Sequence, residues 1–148
     1  MEKVTEILAR KLPHFRHISP DTSVNDALCI MSTQNAEYLI VVDDNKNFLG
    51  LLTEHDVASK TIFPNKPLVN TKVGEVMNTR LPFVRSDDTV EICMKTMIRY
   101  NVRYLPVFHN LSFSGVISSE DILEEALSHR TAIFDEEEKG DLSMSVIG

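Results

Sequence analysis

The stretch Gly50–Asp56, GLLTEHD, has a near twin in Gly115–Asp121, GVISSED. Both read Gly-x-x-Thr/Ser-x-x-Asp, and the chain around them repeats as well. Ile18–Met31 (ISPDTSVNDALCIM) lines up with Val84–Met97 (VRSDDTVEICMKTM), 66 positions on, and Asn35–Asp43 (NAEYLIVVD) with Asn101–His109 (NVRYLPVFH) at the same offset. The two glycines lie 65 apart, so the second copy has lost one residue in the turn between. Self-similarity on this scale makes the repeated unit a supersecondary structure that packs with its twin.

Each copy reads as the same series of elements. Thr22 or Ser23 precedes Val24, Ala27, Leu28 and Met31, an apolar helical face behind a capping hydroxyl, and Asn35 is a helix stop. Tyr38–Val42 (YLIVV) is a short β-branched run, the polar DDNKN turns the chain, and Phe48–Leu52 (FLGLL) forms a second strand. A helix then starts at Thr53. In the second copy the spacing predicts a helix over Val90–Tyr100, strands over Tyr104–Phe108 and Phe113–Ile117, and a helix from Ser118 to Leu127. FRHI and PFV add a short edge strand before each copy. The fold class is therefore α/β (α+β), with two β-α-β-β-α repeats packed through their sheets into a pseudo-twofold module. Residues 1–62 form the first repeat, 63–72 a linker broken by Pro64 and Pro67, 73–128 the second repeat, and 129–148 an acidic C-terminal tail read as flexible.

The motif itself supports two readings. A hydroxyl followed three residues later by a carboxylate, just before a helical run, is close to a capping box that satisfies orphan N–H groups. The same arrangement suits a nucleoside phosphate: N–H groups and the hydroxyl of Thr53 or Ser118 face a phosphate, and the carboxylate of Asp56 or Asp121 accepts hydrogen bonds from a ribose diol.

Composition narrows the field. With 148 residues, 43% hydrophobic and 25% charged, the chain can bury a core without staples. A formal net charge of −7 with no basic stripe argues against nucleic acid. No segment approaches a membrane span and the N-terminus does not read as a secretory signal, so no membrane association and a cytoplasmic location are expected. Cys29 and Cys93 fall in apolar helical patterns and are expected to be buried, reduced thiols. His14 and His17 flank a strand at a spacing that points them to opposite faces, so no metal site is expected. The motif hydroxyls have no activating His in sequence, which argues against an enzyme.

The paired motifs, the YLIVV and YLPVF strands, the capped helices DTSVNDAL and DDTVEICM, and VGEVM leading into the second copy together resemble a tandem pair of CBS domains, as in stand-alone CBS-domain proteins. The resemblance runs from about Val4 to Leu127. It implies a regulatory, energy-sensing module whose clefts between the repeats bind AMP, ADP, ATP or S-adenosylmethionine, with no obligatory cofactor. It also implies a likeness to modules that pair as homodimers and signal by conformational change to a partner protein. Carried over to this chain, Asp56 and Asp121 hold the ribose hydroxyls and Thr53 and Ser118 contact phosphate, with Gly50 and Gly115 in the same motifs and His55 exposed beside the pocket. The backbone of Tyr38, Leu39 and Ile40 and of Tyr104, Leu105 and Pro106 lines the base, and the segments near His14 and Thr79 close the adenine end.

Two departures stand out. Pro106 has Ile40 as its counterpart, whose N–H could alter the base contact, and Arg103 has Glu37. The second difference predicts unequal sites, the one beside Arg103 preferring phosphorylated ligands. The alternative is a ligand-independent dimerisation or scaffold module that keeps the motif for capping.

Overall fold

The computed structural model describes residues 2–11 and 16–128. The chain forms two compact units, one comprising residues 16–82 and the other combining 2–11 with 83–128. In the first, β1 (His17–Ile18) pairs in parallel with β2 (Tyr38–Val42), which pairs antiparallel with β3 (Phe48–Thr53). In the second, β4 (Val84–Arg85), β5 (Tyr104–His109) and β6 (Ser112–Ser118) repeat that order. The missing residue lies in the turn: Val42 pairs with Phe48, whereas Phe108 pairs with Phe113.

The helices start and stop where side-chain chemistry dictates. Ser23 accepts from the Asp26 N–H to cap α2 (Val24–Gln34), and Thr89 accepts from Ile92 N–H to cap α5 (Val90–Tyr100). Both helices end at an asparagine, Asn35 and Asn101, each at φ 52°, a left-handed geometry that asparagine tolerates better than most residues. After β3 come α3 (Glu54–Val57) and a π turn (Ala58–Ile62) in which the Thr61 hydroxyl donates to the Val57 carbonyl. After β6 residues 119–128 are helical and are called α6.

Each sheet buries one face on its own helices. The first core joins Ile18, Ala27, Met31, Leu39, Val41, Leu52 and Val57; the second joins Val84, Cys93, Met97, Leu105, Val107, Ile117 and Ile122 at matching positions. Cys93 is buried as expected, but Cys29 is exposed: it lies on the solvent face of α2, whereas its neighbours Ala27 and Met31 point inward. The helical pattern around Cys29 was apolar on more than one face, which hid its orientation.

A further pair of elements completes the cores. Val73 and Val76 of α4 (Val73–Val76) cover the first, and Val4 and Ile7 of α1 (Val4–Arg10) cover the second. The backbone bonds match: Val73 N–H donates to Thr22 O and Gly74 N–H to Pro20 O, while Val4 N–H donates to Asp88 O and Thr5 N–H to Ser86 O. Lys72 N–H donates to Glu75 Oε2 at 2.7 Å and Lys3 N–H to Glu6 Oε2 at 3.3 Å. The sequence carries this likeness as Lys3-Val4-x-Glu6-Ile7-Leu8 against Lys72-Val73-x-Glu75-Val76-Met77. Sequence boundaries at 62 and 73 mark the repeats, yet packing divides the chain differently, because α1 joins the later repeat and α4 the earlier one.

Candidate ligand site at the repeated motif

In the first unit the strand β3 ends at Thr53, opposite Tyr38, and α3 begins at the next residue. Thr53 Oγ1 accepts from the Asp56 N–H at 3.1 Å and donates to Asp56 Oδ2 at 2.9 Å, while Thr53 N–H donates to the same oxygen at 3.3 Å. The second unit repeats the two bonds that involve backbone N–H groups: Ser118 Oγ accepts from Asp121 N–H at 3.1 Å and Ser118 N–H donates to Asp121 Oδ2 at 2.8 Å. The capping box is thus formed in both copies. It holds hydroxyl and carboxylate together at the strand-to-helix junction.

Both carboxylates have a further partner that sequence reasoning missed. Lys60 Nζ lies 3.3 Å from Asp56 Oδ1 and donates to the Val76 carbonyl at 3.0 Å. Lys11 Nζ lies 2.8 Å from Asp121 Oδ2 and donates to the Val116 carbonyl at 2.8 Å. Lys60 was legible as a residue four positions after Asp56 on one helical stretch. Lys11 was not, being 110 residues from Asp121 in sequence.

Gly50 has a structural reason for being glycine. Leu51 exchanges two backbone bonds with Asn78, N–H to O at 3.1 Å and O to N–H at 2.8 Å, and a Cβ on Gly50 would stand 2.5 Å from Asn78 O. This bridge also brings Thr79, exposed, beside Gly50, its Cα 3.6 Å from the same Cβ position. Thr79 therefore accompanies the first motif. Gly115 is buried on β6 across from Val107. His14 lies outside the described residues.

The other expected residues divide by side-chain placement. Tyr38 and Tyr104 sit half-buried at the start of β2 and β5, opposite Thr53 and Ser118, and His55 is exposed on the first turn of α3. Leu39 and Leu105 are fully buried in the cores, leaving only their backbone for a ligand. Ile40 and Pro106 are buried as well. The Ile40 N–H donates to Arg16 O at 3.0 Å, so it is engaged beside the pairing of β1 with β2. Proline at the matching position has no N–H to donate.

Glu37 and Arg103 do occupy equivalent places. The Glu37 carbonyl accepts from Glu54 N–H at 3.3 Å and the Arg103 carbonyl from Ser119 N–H at 2.9 Å, which fixes each residue beside its helix start. Both side chains are exposed, and among the described residues the Arg103 guanidinium has no ion-pair or hydrogen-bond partner. Among the described residues no cluster of His, Cys, Asp and Glu could hold a metal ion, and no helix is long and apolar enough to cross a membrane.

Two mixed sheets built from equivalent strands, each ending in the same hydroxyl–carboxylate turn, define a tandem-repeat protein of one family. The CBS-domain profile matches residues 4–61 and 73–128, and the chain belongs to that family. The solved CBS-domain structure NE2398 superposes with a TM-score of 0.78 at 32% identity, covering 85% of this chain and 98% of that one. CBSX2, solved in complex with AMP, has the same fold, with a TM-score of 0.73 at 22% identity over 88% of this chain and 99% of its own. Among curated proteins, MJ1404 of Methanocaldococcus jannaschii is 30% identical in an alignment of 134 residues that covers 82% of this chain but 31% of MJ1404. Homoserine O-acetyltransferase of Methanococcus vannielii is 30% identical over 122 residues, again 82% of this chain and 24% of that protein. The chain thus spans less than a third of these curated relatives.

Proposed function

We propose that this chain is a non-catalytic regulatory module that binds an adenosine-containing ligand, AMP, ADP, ATP or S-adenosylmethionine, at the Gly-x-x-Thr/Ser-x-x-Asp turn of each repeat. Occupation of the turns changes its interaction with a partner protein, and the chain acts in the cytoplasm as a homodimer. The observation that carries this reading is the doubled turn, in which Thr53 with Asp56 and Ser118 with Asp121 adopt the same hydroxyl–carboxylate geometry. A carboxylate held there can accept both hydroxyls of a ribose. The AMP complex of CBSX2, a protein of the same fold, supports the choice of ligand class.

Arg103, without an ion-pair partner among the described residues, gives the second turn a cation that Glu37 denies the first, which supports unequal affinity for phosphorylated ligands. Titration calorimetry with AMP and S-adenosylmethionine tests both statements. AMP binding that weakens in Arg103→Ala at one site only is the expected result; two equal sites insensitive to Arg103→Ala contradict the inequality.

The second reading, a scaffold that needs no ligand, is favoured by one observation: both carboxylates already have protein partners, Lys60 and Lys11. Thermal unfolding separates the two, because a ligand that binds only the native state raises its stability. No shift with millimolar AMP, ADP, ATP or S-adenosylmethionine favours the scaffold.

A further inference from the structure

The lysines on the motif carboxylates are not needed for capping. Ser23 and Thr89 cap α2 and α5 through their hydroxyls without a lysine on the cap. Around Asp56 and Asp121, however, each unit supplies a lysine, and it does so from different parts of the sequence. Four residues after Asp56 stands Lys60; the equivalent place after Asp121 holds Glu125, which is itself paired with Arg10 at 2.7 Å. The second unit therefore takes its cation from Lys11, at the end of α1.

Each lysine also touches the leading helix of its unit. Lys60 Nζ donates to the carbonyl of Val76, the last residue of α4. Lys11 is the C-cap of α1, its N–H donating to Ile7 O and Leu8 O. Both carboxylates are shielded from water, with side-chain exposures of 9% for Asp56 and 15% for Asp121, so the pairing to lysine is stronger than on an open surface. A diol that hydrogen-bonds to such a carboxylate competes with the ammonium for the same oxygens.

We infer that Lys60 and Lys11 are relay residues: when a ligand takes the carboxylate of Asp56 or Asp121, the lysine lets go and the end of the leading helix, α4 or α1, loosens. This rests on the nucleotide reading of the motif and adds to it the route by which occupancy leaves the site. The two routes are separate. One reaches the segment between the repeats, the other the N-terminal segment.

Hydrogen exchange followed by mass spectrometry tests the relay in the full chain. In the ligand-free protein, Asp121→Asn keeps a capping side chain but removes the charge; exchange at residues 8–11 should rise roughly fivefold while residues 73–78 stay as in the wild type. Asp56→Asn should do the converse. Exchange unchanged at the leading helix in both variants overturns the relay, whatever the ligand result. Saturating AMP should raise exchange at the same residues in the wild type by a similar factor, an effect lost at residues 8–11 in Lys11→Met and at 73–78 in Lys60→Met. If calorimetry shows AMP binding and exchange at both segments is unchanged or slower, the relay is wrong and the nucleotide reading stands. If calorimetry shows no binding of AMP, ADP, ATP or S-adenosylmethionine, the nucleotide reading fails, while the Asp→Asn arm still decides whether the carboxylates hold the helices.

Discussion

Around Asp56 the neutralising cation stands on the next helical turn; around Asp121 that turn carries Glu125, and the cation arrives from the opposite end of the chain. The cores show the same contrast. Leu39 and Leu105, Val41 and Val107, Met31 and Met97 fill matching places in register, but the lid over the first core is α4 and over the second is α1. What the two units share is therefore a set of places in space, a buried aliphatic here and an ammonium there. Sequence order decides only which residue reaches each place.

Removing the borrowed lid should break the likeness most. Deleting residues 1–11 takes Val4 and Ile7 from the second core together with the backbone bonds to Ser86 and Asp88. The expected loss is about 4 kcal/mol, confined to the second unit, so that urea denaturation splits into two steps with residues 83–128 unfolding first. A single unshifted transition would mean that α1 contributes little to that core.

Gly50→Ala comes next. Its Cβ would meet a backbone oxygen at 2.5 Å, and the Leu51–Asn78 bridge must yield. A loss of about 3 kcal/mol is expected from chemical denaturation. Gly74→Ala makes a useful partner, because its nearest neighbour, the Pro20 Cβ, is 3.1 Å away and its counterpart Thr5 already carries a Cβ; a change below about 1 kcal/mol is expected there.

At the site the effect is smaller in energy but more specific. Asp56→Asn and Asp121→Asn keep the cap and should each cost less than about 1 kcal/mol in stability. Each should weaken AMP at its own turn about tenfold or more, as loss of charge-assisted hydrogen bonds does. Calorimetry on both variants and on the double variant measures this, and unaltered binding in all three would remove the carboxylates from the site.

A last effect, absent at neutral pH, concerns Cys93, whose counterpart is Ala27. Burial, with a lesser contribution from Asp88, pushes the Cys93 thiol up to about 12, from an ordinary 9.0. The folded state therefore holds its proton between about pH 9 and 12 where the unfolded chain releases it, so stability falls as pH rises through that window. Cys93→Ala should flatten this decline, measured by urea midpoints at increasing pH. At pH 8 a thiol reagent should label exposed Cys29 in the native protein and reach Cys93 only after unfolding.

Much of this was legible from local pattern. The capped helices, the asparagine stops, the paired strands and the lost turn residue all depend on neighbours within a dozen positions, and the structure has them at Ser23, Thr89, Asn35 and Asn101. The assignment of α1 was not legible, because nothing near Val4 says that its apolar face meets Leu105 and Ile117 rather than the strands that follow it. The likeness of KVTEIL to KVGEVM was the available signal. Lys11 was hidden for the same reason. Exposure of Cys29 was missed because an apolar neighbourhood does not fix which side of a helix a small residue occupies.

The exchanged lids also set an order of events during synthesis. The first unit has all its parts once residue 82 has left the ribosome, α4 included. Residues 2–11 emerge before any of it, yet their partners, Ser86, Asp88 and the second core, are made only after it. Helix α1 must therefore wait, its Val4 and Ile7 uncovered, and close a loop of some eighty residues when it docks, a long-range contact of the kind that slows folding.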